Sequence, residues 1–216
     1  MLRISSIKNI IYALFIFSVF CSCSLAGKSK STRTIQKNPS RILFVGNSLT
    51  YTNNLPKLVE TSAKEKGITI ETKMIAFPNY ALMDHWNDGK VQKEIETKQY
   101  DFVIVQQGPS SQDFGKDILI NYGKKYNDLS KENGAQLCYF MIWPSLTYYK
   151  TFDGVIKNHR EASRLNNAIL LPVGEVWKAY FDTTENFDYY SNDGFHPSLK
   201  GSQKAAEVIV NYLFNK

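Results

Sequence analysis

Two short stretches of the 216-residue chain hold residue types suited to nucleophilic chemistry. The first is Phe44-Val45-Gly46-Asn47-Ser48, where an apolar run ends on a serine. A serine at a strand-to-helix turn is exposed, and its amide opens a helix, where negative charge is favoured. That suits a nucleophile whose tetrahedral intermediate becomes an oxyanion. The second stretch is Asp193-Gly194-Phe195-His196-Pro197-Ser198. An Asp and a His three positions apart on a turn can meet directly, so the carboxylate can fix the imidazole tautomer and stabilise the imidazolium. Gly194 permits the tight turn and Pro197 suits the start of a following helix. Each stretch has a plainer reading by itself: a helix-capping serine in one case, an incidental histidine before a capped helix in the other.

The elements that must position these residues are legible as apolar runs. Arg41–Gly46, Asp101–Gln107, Ala135–Trp143 and Ala168–Val173 show little polar alternation, as strands buried on both faces do. Ile68–Ala76 alternates at its start and reads as an edge strand. Starts near 41, 68, 101, 135 and 168 fit repeated βαβ units. Amphipathic stretches at Leu55–Lys66, Ile118–Asn133, Thr151–Asn167 and Leu199–Phe214 predict the intervening helices. The expected fold is a three-layer α/β/α sandwich on a mainly parallel, flavodoxin-like sheet of five strands, with ligands beyond the carboxyl ends of the strands. Nucleotide motifs are missing. There is no G-x-G-x-x-G, and Gly108 to Gly115-Lys116 has six intervening residues where a phosphate loop has four.

The turn serine after the first strand and the Asp-x-x-His before the last helix together resemble the block pattern of the SGNH, or GDSL-like, serine hydrolases. Asn47 stands where that pattern commonly has Asp, and Asp193-Gly194-Phe195-His196-Pro197 matches its last block in full. The resemblance implies ester hydrolysis without metal or cofactor, with Ser48 as nucleophile, His196 as general base and then acid, and Asp193 as its orienter. The two middle blocks depart from the pattern. No glycine lies between Gly67 and Gly89, so Asn79 is the nearest substitute for the oxyanion-binding glycine. In the third block Ser110 replaces Asn and is expected to take its oxyanion or substrate role, within Gln106-Gln107-Gly108-Pro109-Ser110, an arrangement that also looks like sialate-O-acetylesterase-like relatives. Gln106 or Gln107 is expected to supply the missing amide, Gln107 being preferred, since alternation lets only one point into the site.

Trp143, at a strand's carboxyl end, is the best placed of several aromatics (Tyr148, Tyr149, Trp177, Tyr189 and Tyr190 among them) to stack on a sugar face. His85 is expected to be structural or a substrate contact, and His159, among Lys157, Asn158 and Arg160, to be solvated. Glu175 is expected to open a helix as a dipole partner. The scattered histidines and the absence of a Cys cluster or H-E-x-x-H predict no metal site.

The first 40 residues read as an address. Arg3 and Lys8 precede the apolar run Ile10–Phe20, which is too short for a comfortable membrane span. Residues 1–22 are expected to be a lipoprotein-type signal peptide with Cys23 as the lipidated residue and Cys21 as the competing site. Residues 23–40 would be a tether and 41–216 the hydrolase domain. The expected location is the bacterial cell envelope, with the protein held to the membrane by its lipid and facing the periplasm or the surface; plain secretion is the alternative. Cleavage before Cys23 leaves Cys138 alone in an apolar run, a buried thiol without a disulfide partner. The net charge of +6 does not belong to the domain: from Ile42 onward 19 basic residues face 20 acidic ones. A nucleic-acid partner is therefore not expected. A composition 43% apolar and 21% charged excludes a disordered chain. The expected partner is a small-molecule or carbohydrate ester, with O-acetyl on a carbohydrate first. A non-catalytic carbohydrate-binding lipoprotein on the same fold is the alternative.

Overall fold

A computed structural model of the protein describes residues 38–214. The expected signal peptide, the Cys23 and Cys21 lipidation sites and nearly all of the tether lie outside the described residues. The expected tether boundary shifts slightly, because Ser40 already pairs with Ile70 in the sheet.

Five strands build the sheet: β1 (Ser40–Gly46), β2 (Ile70–Ala76), β3 (Phe102–Val105), β4 (Gln136–Phe140) and β5 (Ile169–Leu171). Their order is β2-β1-β3-β4-β5 and every pair is parallel. This is the flavodoxin-like order, with its topological switch between β1 and β3. The helices are α1 (Ser48–Tyr51), α2 (Leu55–Glu65), α3 (Leu82–Asp88), α4 (Lys90–Thr97), α5 (Asp113–Glu132), α6 (Phe152–Leu165), α7 (Val173–Thr184) and α8 (Leu199–Phe214).

The near-continuous apolar runs follow from burial on both sheet faces. Ile42, Phe44, Ile104, Cys138 and Phe140 point into one apolar layer, shared with α2, α7 and α8. Leu43, Val45, Val103, Val105, Leu137 and Tyr139 point into the other, shared with α3, α4 and α5. Alternation is present geometrically but invisible in residue type, because both faces exclude water. β2 pairs only with β1 and alternates in exposure, as its sequence indicates. Burial pushes the Cys138 thiol well above its ordinary range, so it is an inert core residue.

Candidate active site

The nucleophile turn is held from several directions at once. β1 ends at Gly46, and Asn47 caps the four-residue α1, its Oδ1 accepting from the Leu49 amide at 3.1 Å. The same Oδ1 accepts from Gln106 Nε2 at 3.0 Å, while Asn47 Nδ2 donates to the Tyr80 carbonyl at 3.0 Å. An aspartate could not make that last bond, which gives a physical reason for Asn at this position. Gln106 Oε1 accepts from the Asn47 amide at 3.0 Å and from Thr50 Oγ1 at 2.7 Å. A Cβ on Gly46 would fall 2.5 Å from Gln106 Oε1 and closer still to Thr50 Oγ1, so only glycine fits there. Beneath the turn, His85 Nε2 donates to the Gly46 carbonyl at 2.8 Å. Burial lowers the His85 pKa, which keeps the ring neutral.

The second half of the site is a self-contained turn before α8. Gly194 adopts φ +66°, the left-handed conformation that favours glycine. Asp193 Oδ1 accepts from Ser191 Oγ and from the amides of Phe195 and His196 at 2.8, 2.8 and 2.9 Å. Its Oδ2 lies 2.6 Å from His196 Nδ1. Burial by itself would raise the Asp193 pKa; the bonds from His196, Phe195 and Ser191 outweigh it and hold the carboxyl far below its ordinary range. An ionised carboxylate can only accept, so Nδ1 carries the imidazole proton and Nε2 is free to accept. The acceptor side of Nε2 faces Ser48 Oγ at 3.0 Å, across 148 positions of chain.

Three contacts dock this turn. Trp143 Nε1 donates to the Phe195 carbonyl at 3.0 Å, the Leu146 amide to the Gly194 carbonyl at 2.7 Å, and Asn53 Nδ2 to the Pro197 carbonyl at 3.0 Å. Asn53 follows α1 in a left-handed conformation, so it ties the nucleophile segment to the histidine turn.

Ser48 opens onto a cavity of about 260 Å³ lined also by Asn79, Tyr80, Ala81, Gly108 and Phe195. As the first residue of α1, Ser48 has no intrahelical acceptor for its amide. Asn79 lines the cavity in a left-handed conformation. Among the described residues, the amides of Asn79 and Gly108 are paired with no acceptor. Ser48, Asn79 and Gly108 thus bring to the cavity lining three residues whose amides have no protein acceptor.

Four expectations need correction. Gln107 does not aim its amide at the cavity: Nε2 donates to Ser110 Oγ at 2.7 Å and to the Gly115 carbonyl at 2.9 Å, which fastens the loop before α5. Gln106 is equally committed, donating to Asn47 and to the Gln107 carbonyl. Ser110 is buried, its hydroxyl donating to the Gly108 carbonyl at 3.0 Å. Trp143 offers no face to a ligand. It is fully buried and stacks on Trp177 at 3.5 Å between centroids, because the chain beyond β4 runs on extended beneath α7. His159 is buried, donating Nδ1–H to the Val155 carbonyl at 2.8 Å, and its pKa is pushed down to about 4 by desolvation. It lies with Phe152, Val155, Asn158 and Ala162 on the inward side of α6, whereas Lys157 and Arg160 face out.

Glu175 opens α7 and pairs with Arg160, as expected of a dipole partner. No group of three or more His, Cys, Asp or Glu suited to a metal occurs among the described residues. Gly108 and Phe195 line the cavity although the sequence reading does not single them out. Both lay in plain sight, one as the glycine of the third block and the other inside the Asp-Gly-Phe-His run.

No family model matches the chain, and no curated protein matches it in sequence. Solved structures do resemble it. A candidate SGNH hydrolase from Slackia heliotrinireducens superposes with a TM-score of 0.71 at 23% identity, covering 82% of this chain and 100% of its own. A lipase/acylhydrolase from Enterococcus faecalis gives 0.66 at 14% identity, covering 80% and 94%. The acetyl xylan esterase AlAXEase gives 0.64 at 16% identity, covering 81% and 100%. With its all-parallel five-stranded sheet flanked by helices, the chain has the SGNH/GDSL hydrolase fold.

Proposed function

We propose that the protein is a serine carboxylic ester hydrolase, and that Ser48, His196 and Asp193 perform the reaction. The observation that carries this reading is the continuous relay from Ser48 Oγ to His196 Nε2 at 3.0 Å and from His196 Nδ1 to Asp193 Oδ2 at 2.6 Å. Ser48 Oγ attacks the ester carbonyl carbon as its proton passes to Nε2, and Asp193 stabilises the resulting imidazolium. The oxyanion is met by the Ser48 amide together with the amides of Asn79 and Gly108. Collapse breaks the carbonyl carbon–alkoxy bond, and the departing alcohol takes the proton from His196. Water then attacks the acyl-serine, giving its proton to His196, which returns it to Ser48 Oγ as the acid leaves. Ser48→Ala should lower turnover by about four orders of magnitude or more and abolish labelling by a fluorophosphonate. Unchanged ester cleavage in that variant removes Ser48 from the mechanism.

The substrate we favour is an O-acetyl group on a carbohydrate. The small cavity at Ser48 suits a short acyl group, and one structural relative is an acetyl xylan esterase. The commitment of both Gln106 and Gln107 to internal bonds supports a second reading, a carbohydrate-binding protein without catalysis, because a side-chain oxyanion donor is worth about 3–4 kcal/mol. Wild-type protein that is folded but unreactive to fluorophosphonate would favour that reading. The N-terminal residues support anchoring to the cell envelope through lipidated Cys23. Radiolabelled fatty-acid incorporation that is lost in Cys23→Ala tests it.

A further inference from the structure

Beside the Ser48 cavity lies a larger groove of about 520 Å³, and Phe195 lines both. Ser111 and Gln112 come to it from the segment between β3 and α5, and Ser145, Tyr148 and Thr151 from the segment between β4 and α6. Two prolines complete the lining, and none of its residues bears a formal charge. Tyr148 is 63% exposed and enters no hydrogen bond through its side chain. It is the aromatic platform that Trp143, buried against Trp177, cannot be.

The two spaces differ in the way the two halves of an ester differ. The cavity of about 260 Å³ is lined by Ser48, Asn79 and Gly108, whose amides have no protein acceptor, so it suits the carbonyl and leaves room for only a short acyl chain. Most of the groove's surface is apolar, and the hydroxyls of Ser111, Ser145 and Thr151 and the Gln112 amide interrupt it. A long acyl chain calls for continuous apolar lining, whereas a polyhydroxylated ring calls for hydroxyl partners and a stacking face. An anionic ring would place its carboxylate in a groove with no cation to meet it.

We propose that this groove binds the alcohol half of the ester, that the alcohol is an uncharged sugar or similar polyol, and that Tyr148 is the specificity-determining residue. The proposal rests on the esterase reading of the same site.

The test uses the full chain on four esters: methyl 6-O-acetyl-β-glucoside, 9-O-acetyl-N-acetylneuraminate, ethyl acetate and p-nitrophenyl octanoate. The neutral sugar ester should exceed the anionic one in kcat/KM by about tenfold or more. In Tyr148→Ala the ratio of kcat/KM for the neutral sugar ester to that for ethyl acetate should fall about tenfold, mainly through KM. Tyr148→Phe, which keeps the ring, should restore that ratio. Tyr148 is exposed, so its truncation leaves the core intact. A sialate ester or octanoate cleaved as well as the neutral sugar ester overturns the proposal, as does an unchanged ratio in Tyr148→Ala. Folded protein that cleaves none of the four removes the esterase reading, and this proposal with it. Cleavage of ethyl acetate with no response to Tyr148 removes only the proposal.

Discussion

The two halves of the candidate triad are built in opposite ways. The Ser48 turn is buried beneath and braced by Gln106, which directly follows β3, by α3 through His85 and by the Tyr80 carbonyl. The Asp193–His196 turn is only partly buried, and the groups on its carboxylate come from within five residues. A nucleophile must be fixed against a substrate and its oxyanion donors, so it draws on distant strands. An acid–base pair needs only its own tautomer fixed, which a short turn accomplishes.

Asp193→Asn breaks the contrast from the local side. The new amide keeps an oxygen for the Ser191, Phe195 and His196 donors but presents N–H to Nδ1, which forces the wrong imidazole tautomer. Turnover should fall by about a thousandfold, with a change in folding stability below about 1 kcal/mol. Steady-state kinetics beside urea titration would show whether the two separate. Gln106→Ala probes the other side. It strands the Asn47 amide, the Thr50 hydroxyl and the Gln107 carbonyl in a buried site, so stability should drop by about 3 kcal/mol together with activity. Full stability in that variant would deny that the nucleophile turn depends on β3.

Acid should act on the buried histidines and spare the Asp193 carboxylate. The folded-state pKa of His159 is about 4, against an ordinary value of 6.5. Between those values the unfolded chain binds the extra proton, so stability rises with pH there and is lost on acidification. Moving from pH 7 to 4.5 should cost about 2 kcal/mol through His159, an increment that His159→Leu should abolish in paired denaturant titrations. His85, lowered in the same direction, adds to the acid loss. Asp193 is shifted down, so its contribution is present at neutral pH and disappears only below the ordinary carboxylate range, as pH falls through its depressed folded-state value. The smallest effect is expected from Asn53→Gly. It keeps the left-handed backbone but removes the bonds to the Pro197 carbonyl and to Ser202 Oγ. A loss of about 1 kcal/mol in kcat/KM, without a change in Ser48 labelling chemistry, would show that this tie sets the distance between the two turns.

The same contrast explains what could be read in advance. The Asp193–His196 pair was legible because its partners are three positions apart. The strands were legible because burial on both faces writes continuous apolar runs. Gln107 was misassigned because alternation gives a side, not a partner, and the Gly115 carbonyl that claims its amide belongs to the next helix. Trp143 was misassigned because β4 stops at Phe140 while the extended chain continues under α7. The polar neighbours Lys157 and Arg160 mislead for His159, because a helix sorts residues by three- and four-residue steps.

The sequence by itself determined the layered α/β architecture, the serine at the end of the first strand and the carboxylate–imidazole turn, because periodicity and short-range bonding are properties of adjacent residues. Only the tertiary structure decided that Ser48 and His196 lie 3.0 Å apart, that Gln106 and Gln107 spend their amides on internal bonds, and that Tyr148 rather than Trp143 faces the groove. Those outcomes depend on which distant groups compete for each donor and each apolar face, and that competition is settled only when the layers close.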